Sequence, residues 1–204
     1  MKEKKEALLS PVLRWFMFAM VLANISAVMS ELLFVLHLDS LGADVTQIGL
    51  VFTIISVVSL VLQIFGGWVS DSIGRLKAVA IGSIGGVIGT LAIALAPNWQ
   101  LFTVAMILGQ FPRALIGPSF HAFIAENSKE ENRGRVFGVT EMLFTTCGIL
   151  GPLIGGFLSK QFSFSLVFWA AAILYSMAAV LRIWMSRTMK SAKVEKKQEL
   201  SMKY

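Results

Sequence analysis

The sequence predicts an all-α membrane protein of six transmembrane helices with both termini in the cytoplasm, and three features predict it. The first is composition: of 204 residues, 56% are hydrophobic and only 15% charged, with a mean hydropathy of +0.74. Soluble domains carry roughly 45–50% apolar and about 25% charged residues, and a soluble fold of this size has nowhere to hide the excess. The second is that apolar runs of roughly 20 residues, enough to cross about 30 Å of hydrocarbon, recur six times. The third is the uneven distribution of charge between those runs.

In order along the chain, the first run covers 12–36. It is too long for a cleaved leader and further spans follow it, so it is read as a retained first helix. On it Met17, Met20, Asn24, Ala27 and Glu31 recur at three- and four-residue spacing and share one face. The methionines offer a soft apolar lining, while Asn24 and Glu31 add polarity. The second and third runs, 48–69 and 78–95, flank a short polar turn. The third carries Gly82, Gly85, Gly86 and Gly89, a spacing that lets helix backbones approach closely.

The fourth run, 99–124, holds Gln110 and Arg113, with Pro112 removing a backbone donor between them. An ionisable residue at membrane depth costs a few kcal/mol and is a functional candidate by default; Arg113 is read as the deepest one. The fifth run, 136–158, contains Gly148, Gly151, Pro152, Gly155 and Gly156, and the sixth covers 164–184. Residues 1–186 thus form one six-helix bundle, and 187–204 a basic cytoplasmic tail or the start of a linker. Trp15, Trp68, Trp99 and Trp184 fall at helix ends, where amphipathic rings settle at the membrane interface.

Orientation follows from the loops. One side of the membrane receives Lys2, Lys4, Lys5, Arg14, Arg75, Lys77, Lys129, Arg133, Arg135 and the tail lysines. The other receives Asp39, Asp44, the turn at Asn98 and a single cation, Lys160. The positive-inside rule puts the first side in the cytoplasm, and an even number of spans puts both termini there together. The net charge of +6 therefore belongs to span flanks, and no nucleic-acid partner is expected. Cys147, the only cysteine, can form no internal disulfide. No nucleotide loop, metal-ligand spacing or catalytic triad is present, so neither an enzyme nor a bound metal or cofactor is expected.

Three segments carry a resemblance. Residues 67–77 read G-W-V-S-D-S-I-G-R-L-K, after the second span. This resembles motif A of the major facilitator superfamily, G-x-L-a-D-r-x-G-r-k: Gly67, Asp71, Gly74 and Arg75 match, Ser72 and Leu76 depart, and Lys77 supplies a cation one place late. Gly67 suits a close helix approach and Gly74 a tight turn. Residues 148–156, G-I-L-G-P-L-I-G-G, resemble motif C of the antiporter branch at Gly151, Pro152, Gly155 and Gly156, with Gly148 one place nearer than that pattern's first glycine. The link 130–138, E-E-N-R-G-R-V-F-G, resembles the family's loop between helices 4 and 5. The arginine of motif B falls at Met106, and Arg113 lies seven residues later, about two turns deeper on nearly the same face.

The resemblance implies half of a facilitator fold, built from two inverted three-helix repeats. An internal echo supports the repeats: G-G-W-V-S-D at 66–71 ends the second run and G-G-F-L-S-K at 155–160 ends the fifth. It also implies secondary transport of a small molecule, by proton-coupled efflux of a hydrophobic or amphipathic compound, with helices 1 and 4 lining the cavity. The residues expected to bind substrate or couple protons are Glu31, Asn24, Arg113, Met20 and Gln110. Glu31 leans toward its own N-terminus and Arg113 toward the opposite side, so their axial separation of roughly 10 Å shrinks and a water or Asn24 could bridge the rest. On this reading Glu31 is the proton-responsive carboxylate and Arg113 sets its proton affinity. The partners are the lipid bilayer, substrate, protons, and a second six-helix half or a homodimer partner. A split transporter, a homodimer and a truncated product all satisfy the sequence, and a non-transporting six-helix binding or scaffold protein is the alternative.

Overall fold

The structure, a computed structural model, describes residues 8–189; most of the tail at 187–204 lies outside them. Ser10 caps α1 (Pro11–Glu31) by accepting from the Leu13 amide at 3.2 Å, with proline at the first helical position. That position suits proline because its missing N–H would be an orphan anyway. The expected first span does not run unbroken to residue 36. It is interrupted at Leu32 and Leu33 and resumes as α2 (Phe34–Ser40). Just before the break the Ser30 hydroxyl donates to the carbonyls of Ser26 and Ala27, both at 3.0 Å, offering the backbone an alternative to continued helix.

A reciprocal Asp44–Gln47 capping box, with bonds of 2.8 and 2.9 Å, starts α3 (Val45–Ile73). This helix outruns its apolar stretch, so Asp71 lies in its last turn rather than in a loop. Gly74 alone joins it to α4 (Arg75–Leu95), at φ +93°, a conformation open to glycine at little cost. The fourth span is also broken, into α5 (Trp99–Leu108) and α6 (Gln110–Glu126), which meet at Gly109. Pro112 has no N–H to return to the Leu108 carbonyl, and the Gln110 side chain donates to the Met106 carbonyl at 3.1 Å. After a short 3₁₀ turn (Glu130–Asn132) come α7 (Arg133–Gln161) and α8 (Phe164–Thr188), the latter capped by Ser163. Among the described residues six helical segments are long and apolar enough to cross a membrane.

The helices pack as an open crescent in the order α7, α1, α8, α4, α6, α3. Exchanging the first three spans for the last three leaves that order unchanged except for its direction, which is the signature of an inverted repeat. The repeat reaches single residues. Gly66 of α3 sits against the Ala114 carbonyl of α6, and Gly155 of α7 against the Met29 carbonyl of α1, each too close to admit a Cβ. Gly66 and Gly155 are the matching positions of the sequence echo. The core comprises a cluster of Leu13, Phe16, Phe123 and Met185 near the termini, one of Leu38, Phe102 and Phe168 at the far end, and a third of Met29, Leu33, Val167 and Ala171 where α1 meets α8. The outermost helices, α3 and α7, leave large apolar side chains uncovered, among them Leu60, Ile64, Trp68, Leu153 and Phe157.

Candidate functional site

Glu31 is the last residue of α1 and Arg113 lies in the first turn of α6. Both helix breaks therefore act on the site, because each sets a charge beside a helix end. A carboxylate at a C-terminus and a guanidinium at an N-terminus each oppose the dipole of their own helix, so each is better matched by the other than by its own helix. The two side chains meet directly: Arg113 Nη1 donates to Glu31 Oε1 at 2.9 Å. Neither a water nor Asn24 is needed as a bridge. Their side chains are 54% and 41% exposed, so the pair stands on the open face of the crescent.

The other residues expected here divide. Asn24 is half-buried on α1. Met20 is buried and its Sδ accepts from Arg182 of α8, so it faces the interior of the bundle and not the open side. Gln110 is buried as well; its amide serves the Met106 carbonyl beside the helix break, because a broken hydrogen-bond ladder leaves that acceptor in need of a donor.

A second polar cluster closes the end that carries the termini. Arg75 pairs with Asp71, bonds Ser70 Oγ at 3.0 Å, and lies 3.6 Å from Glu126 Oε1 of α6. Ser119 of α6 donates to Ser70 Oγ at 2.6 Å. Asp71, Gly74 and Arg75 are thus joined by Glu126 and Ser119, which the motif did not name; spacing within one loop cannot point to a residue on another helix. Arg75 and Glu126 are three-quarters covered, so their pairing is worth about 1 kcal/mol. Arg75→Glu should lower the thermal midpoint of the purified protein, and Arg75→Glu with Glu126→Arg should recover most of the loss.

The glycine motifs are used differently from the expectation. A Cβ added at Gly67 would meet nothing within 4 Å, and the close approach is made by Gly66. On α7, Gly151 and Gly155 receive α1 through Val28 and Met29, whereas Gly148 and Gly156 face open space; Pro152 lies within the helix. Adjacent residues on a helix point about 100° apart, so one glycine of each pair serves this bundle and the other is left outward.

Arg182, which the sequence reading passed over, is the most enclosed charge among the described residues: its exposure is 1%, against the half-exposed Arg113. The available signal was its position inside the sixth apolar run.

Residues 9–202 match the family described as Major Facilitator Superfamily. The chain is 27% identical over 173 residues to the multidrug resistance protein MdtH of Baumannia cicadellinicola subsp. Homalodisca coagulata, which covers 82% of this chain and 42% of that protein. It is 24% identical over 147 residues to the quinolone resistance protein NorA of Staphylococcus aureus, covering 72% and 38% respectively. Among solved structures, a peptide transporter POT in complex with sulfate superposes with a TM-score of 0.78 at 20% identity, over 93% of this chain and 42% of that one. The human organic anion transporter MFSD10 (TETRAN) does so with a TM-score of 0.65 at 16% identity, over 85% and 47%. At these identities the structures show a shared fold. The chain spans about two fifths of the length of the curated relatives it matches.

Proposed function

The chain belongs to the major facilitator superfamily, and from that premise we propose that it forms one six-helix half of a secondary transporter in the cell membrane that exports a hydrophobic or amphipathic small molecule in exchange for protons. The observation that carries the reading is the direct Glu31–Arg113 pair on the open face. A carboxylate at membrane depth is a costly residue to keep unless it is used. Here it is within reach of water and bound to a cation that cargo can displace. The efflux assignment rests on the names of the multidrug and quinolone resistance relatives.

The half needs a complement. Large apolar side chains on α3 and α7, together with the outward glycines Gly67 and Gly156, make a surface suited to further helices. A second six-helix unit, whether part of a longer protein, a separate chain or a second copy, would cover it and complete the cavity at the interface between the two. The loop charges support a cytoplasmic position for the end that carries the termini.

The test is transport. The chain is reconstituted in liposomes with the unit that co-purifies with it, and efflux of a fluorescent amphipathic dye is followed when a pH gradient is imposed. Dye movement that follows the gradient supports the reading. Dye movement indifferent to the gradient defeats the proton-coupled part, and none at all defeats the whole.

A further inference from the structure

His37 lies on α2, beyond the first span and beyond the break that follows Glu31. Its imidazole is half-buried against three phenyl rings from two other helices. Their centroids stand 5.0 Å away at Phe102 of α5, and 5.3 and 4.9 Å away at Phe164 and Phe168 of α8. Phe34, one turn back on α2, meets Phe102 and Phe168 as well, at 5.5 and 6.0 Å. Beside His37 in sequence, Leu38 is fully buried in the same cluster. These contacts seat α2 on the bundle. At seven residues the helix is too short to hold its own shape when detached, since isolated helices under about 12–15 residues are marginal.

The hydrogen bonding around the ring identifies the nitrogen that titrates. Ser40 Oγ donates to the His37 carbonyl at 2.7 Å and lies 3.3 Å from Nδ1. A hydroxyl has one proton to give, so at Nδ1 the ring is read as the donor, which leaves the lone pair on Nε2. Protonation there adds a charge among phenyl rings that offer no acceptor oxygen. A cation is drawn to a phenyl face, yet burial penalises the charged imidazole and holds His37 below the ordinary histidine value. No carboxylate pairs with it among the described residues. On α2 itself Asp39 is exposed, and Asp44, at the start of α3, is bonded to the Gln47 amide. No charged residue lies on α5, and the last turns of α4 carry none. On α8 the first titratable group is Tyr175, about two turns beyond Phe168. Lys160 stands in the last turn of α7, and Glu31, ending α1, is held by Arg113.

We propose that His37 is a proton-operated latch: the neutral ring docks α2 on Phe102, Phe164 and Phe168, and the imidazolium releases α2 from them. Because α2 follows α1 across the break at Leu32 and Leu33, release also frees the end of α1 that carries Glu31 from its anchor. The latch requires no proton coupling by Glu31. Its sign follows from burial. The docked ring takes up its proton at lower pH than a free histidine, so docking is at full strength above about pH 6.5 and weakens as pH falls through the docked value.

The test is hydrogen exchange, read by mass spectrometry on the full chain in lipid nanodiscs at about pH 7.5 and about pH 5, on either side of the histidine range. Rates are divided by those of the unstructured peptide at each pH. The amides of α2, including those of His37 and Leu41 that bond back to Leu33 and His37, should exchange several-fold faster at the lower pH, while those of α4 keep their protection. His37→Phe, which fills the aromatic site with a ring that cannot titrate, should abolish the difference. His37→Gln should abolish it too, so the test survives if one variant does not fold. His121, the other histidine of the chain, is intact in both, so an acid response arising there would persist. Equal α2 rates at the two pH values in the wild type overturn the latch. So does an acceleration that survives both variants, or one shared equally by α4.

Discussion

Glu31→Gln is expected to reduce pH-driven dye efflux to the level of protein-free liposomes, while dye moving down its own gradient persists. Glutamine is nearly isosteric with glutamate and its carbonyl can still accept from Arg113, so the contact at 2.9 Å is weakened without opening a hole. What is lost is the proton. Magnitude decides why this carboxylate can cycle. Breaking a fully buried ion pair by neutralising one partner costs about 3–5 kcal/mol, which would trap it in one state. A pair as exposed as this one is worth about 0–1 kcal/mol, within reach of cargo contacts. Glu31→Asp shortens the side chain by one methylene; it should keep the pH dependence at a lower rate, because the ion pair must stretch but the group still titrates. Arg113→Lys should do likewise, replacing a planar fork by a single point charge. Wild-type efflux by Glu31→Gln would remove Glu31 from the coupling mechanism.

Much of this site was legible in the sequence, for identifiable reasons. Six spans could be read because hydropathy sums over some 20 residues and tolerates local error. Glu31 and Arg113 could be brought together because side chains on antiparallel helices lean toward one another. The break in the first span was hidden, since Ser30 acts by hydrogen bonding to carbonyls within a run that is apolar on both sides, whereas Pro112, with no donor to give, pointed to the one in the fourth. The use of Gly66 in place of Gly67 was hidden too, because a helix between two apolar surroundings carries no polar face to report its rotation. Arg182 was passed over because it stands two residues from Trp184, in what reads as an interfacial flank. Its side chain turns inward to Ser83 and Met20, and sequence alone does not separate that from a cation reaching outward to water.

Gly155→Val is expected to destabilise the purified protein by about 3 kcal/mol or to abolish its folding, whereas Gly156→Val should leave its thermal midpoint unchanged. The two positions are neighbours in sequence and equally apolar, so composition predicts the same outcome for both. Packing does not. A Cβ at Gly155 would stand where the Met29 carbonyl already is, and one at Gly156 would meet nothing within 4 Å. Overpacking usually costs about 1–3 kcal/mol, less when a flexible side chain can swing aside. At Gly155 the obstacle is backbone on both sides, so α7 must separate from α1 along its length. The inverted repeat makes the same forecast at the other tip of the crescent: Gly66→Val should match Gly155→Val through the Ala114 carbonyl, and Gly67→Val should match Gly156→Val. Thermal unfolding followed by tryptophan fluorescence separates the cases. Equal losses at all four positions would mean that the crescent order is wrong. Losses at Gly66 and Gly155 alone would confirm that each repeat seats its middle helix on the backbone of the other repeat's first, leaving Gly67 and Gly156 turned toward the face where a second six-helix unit would bind.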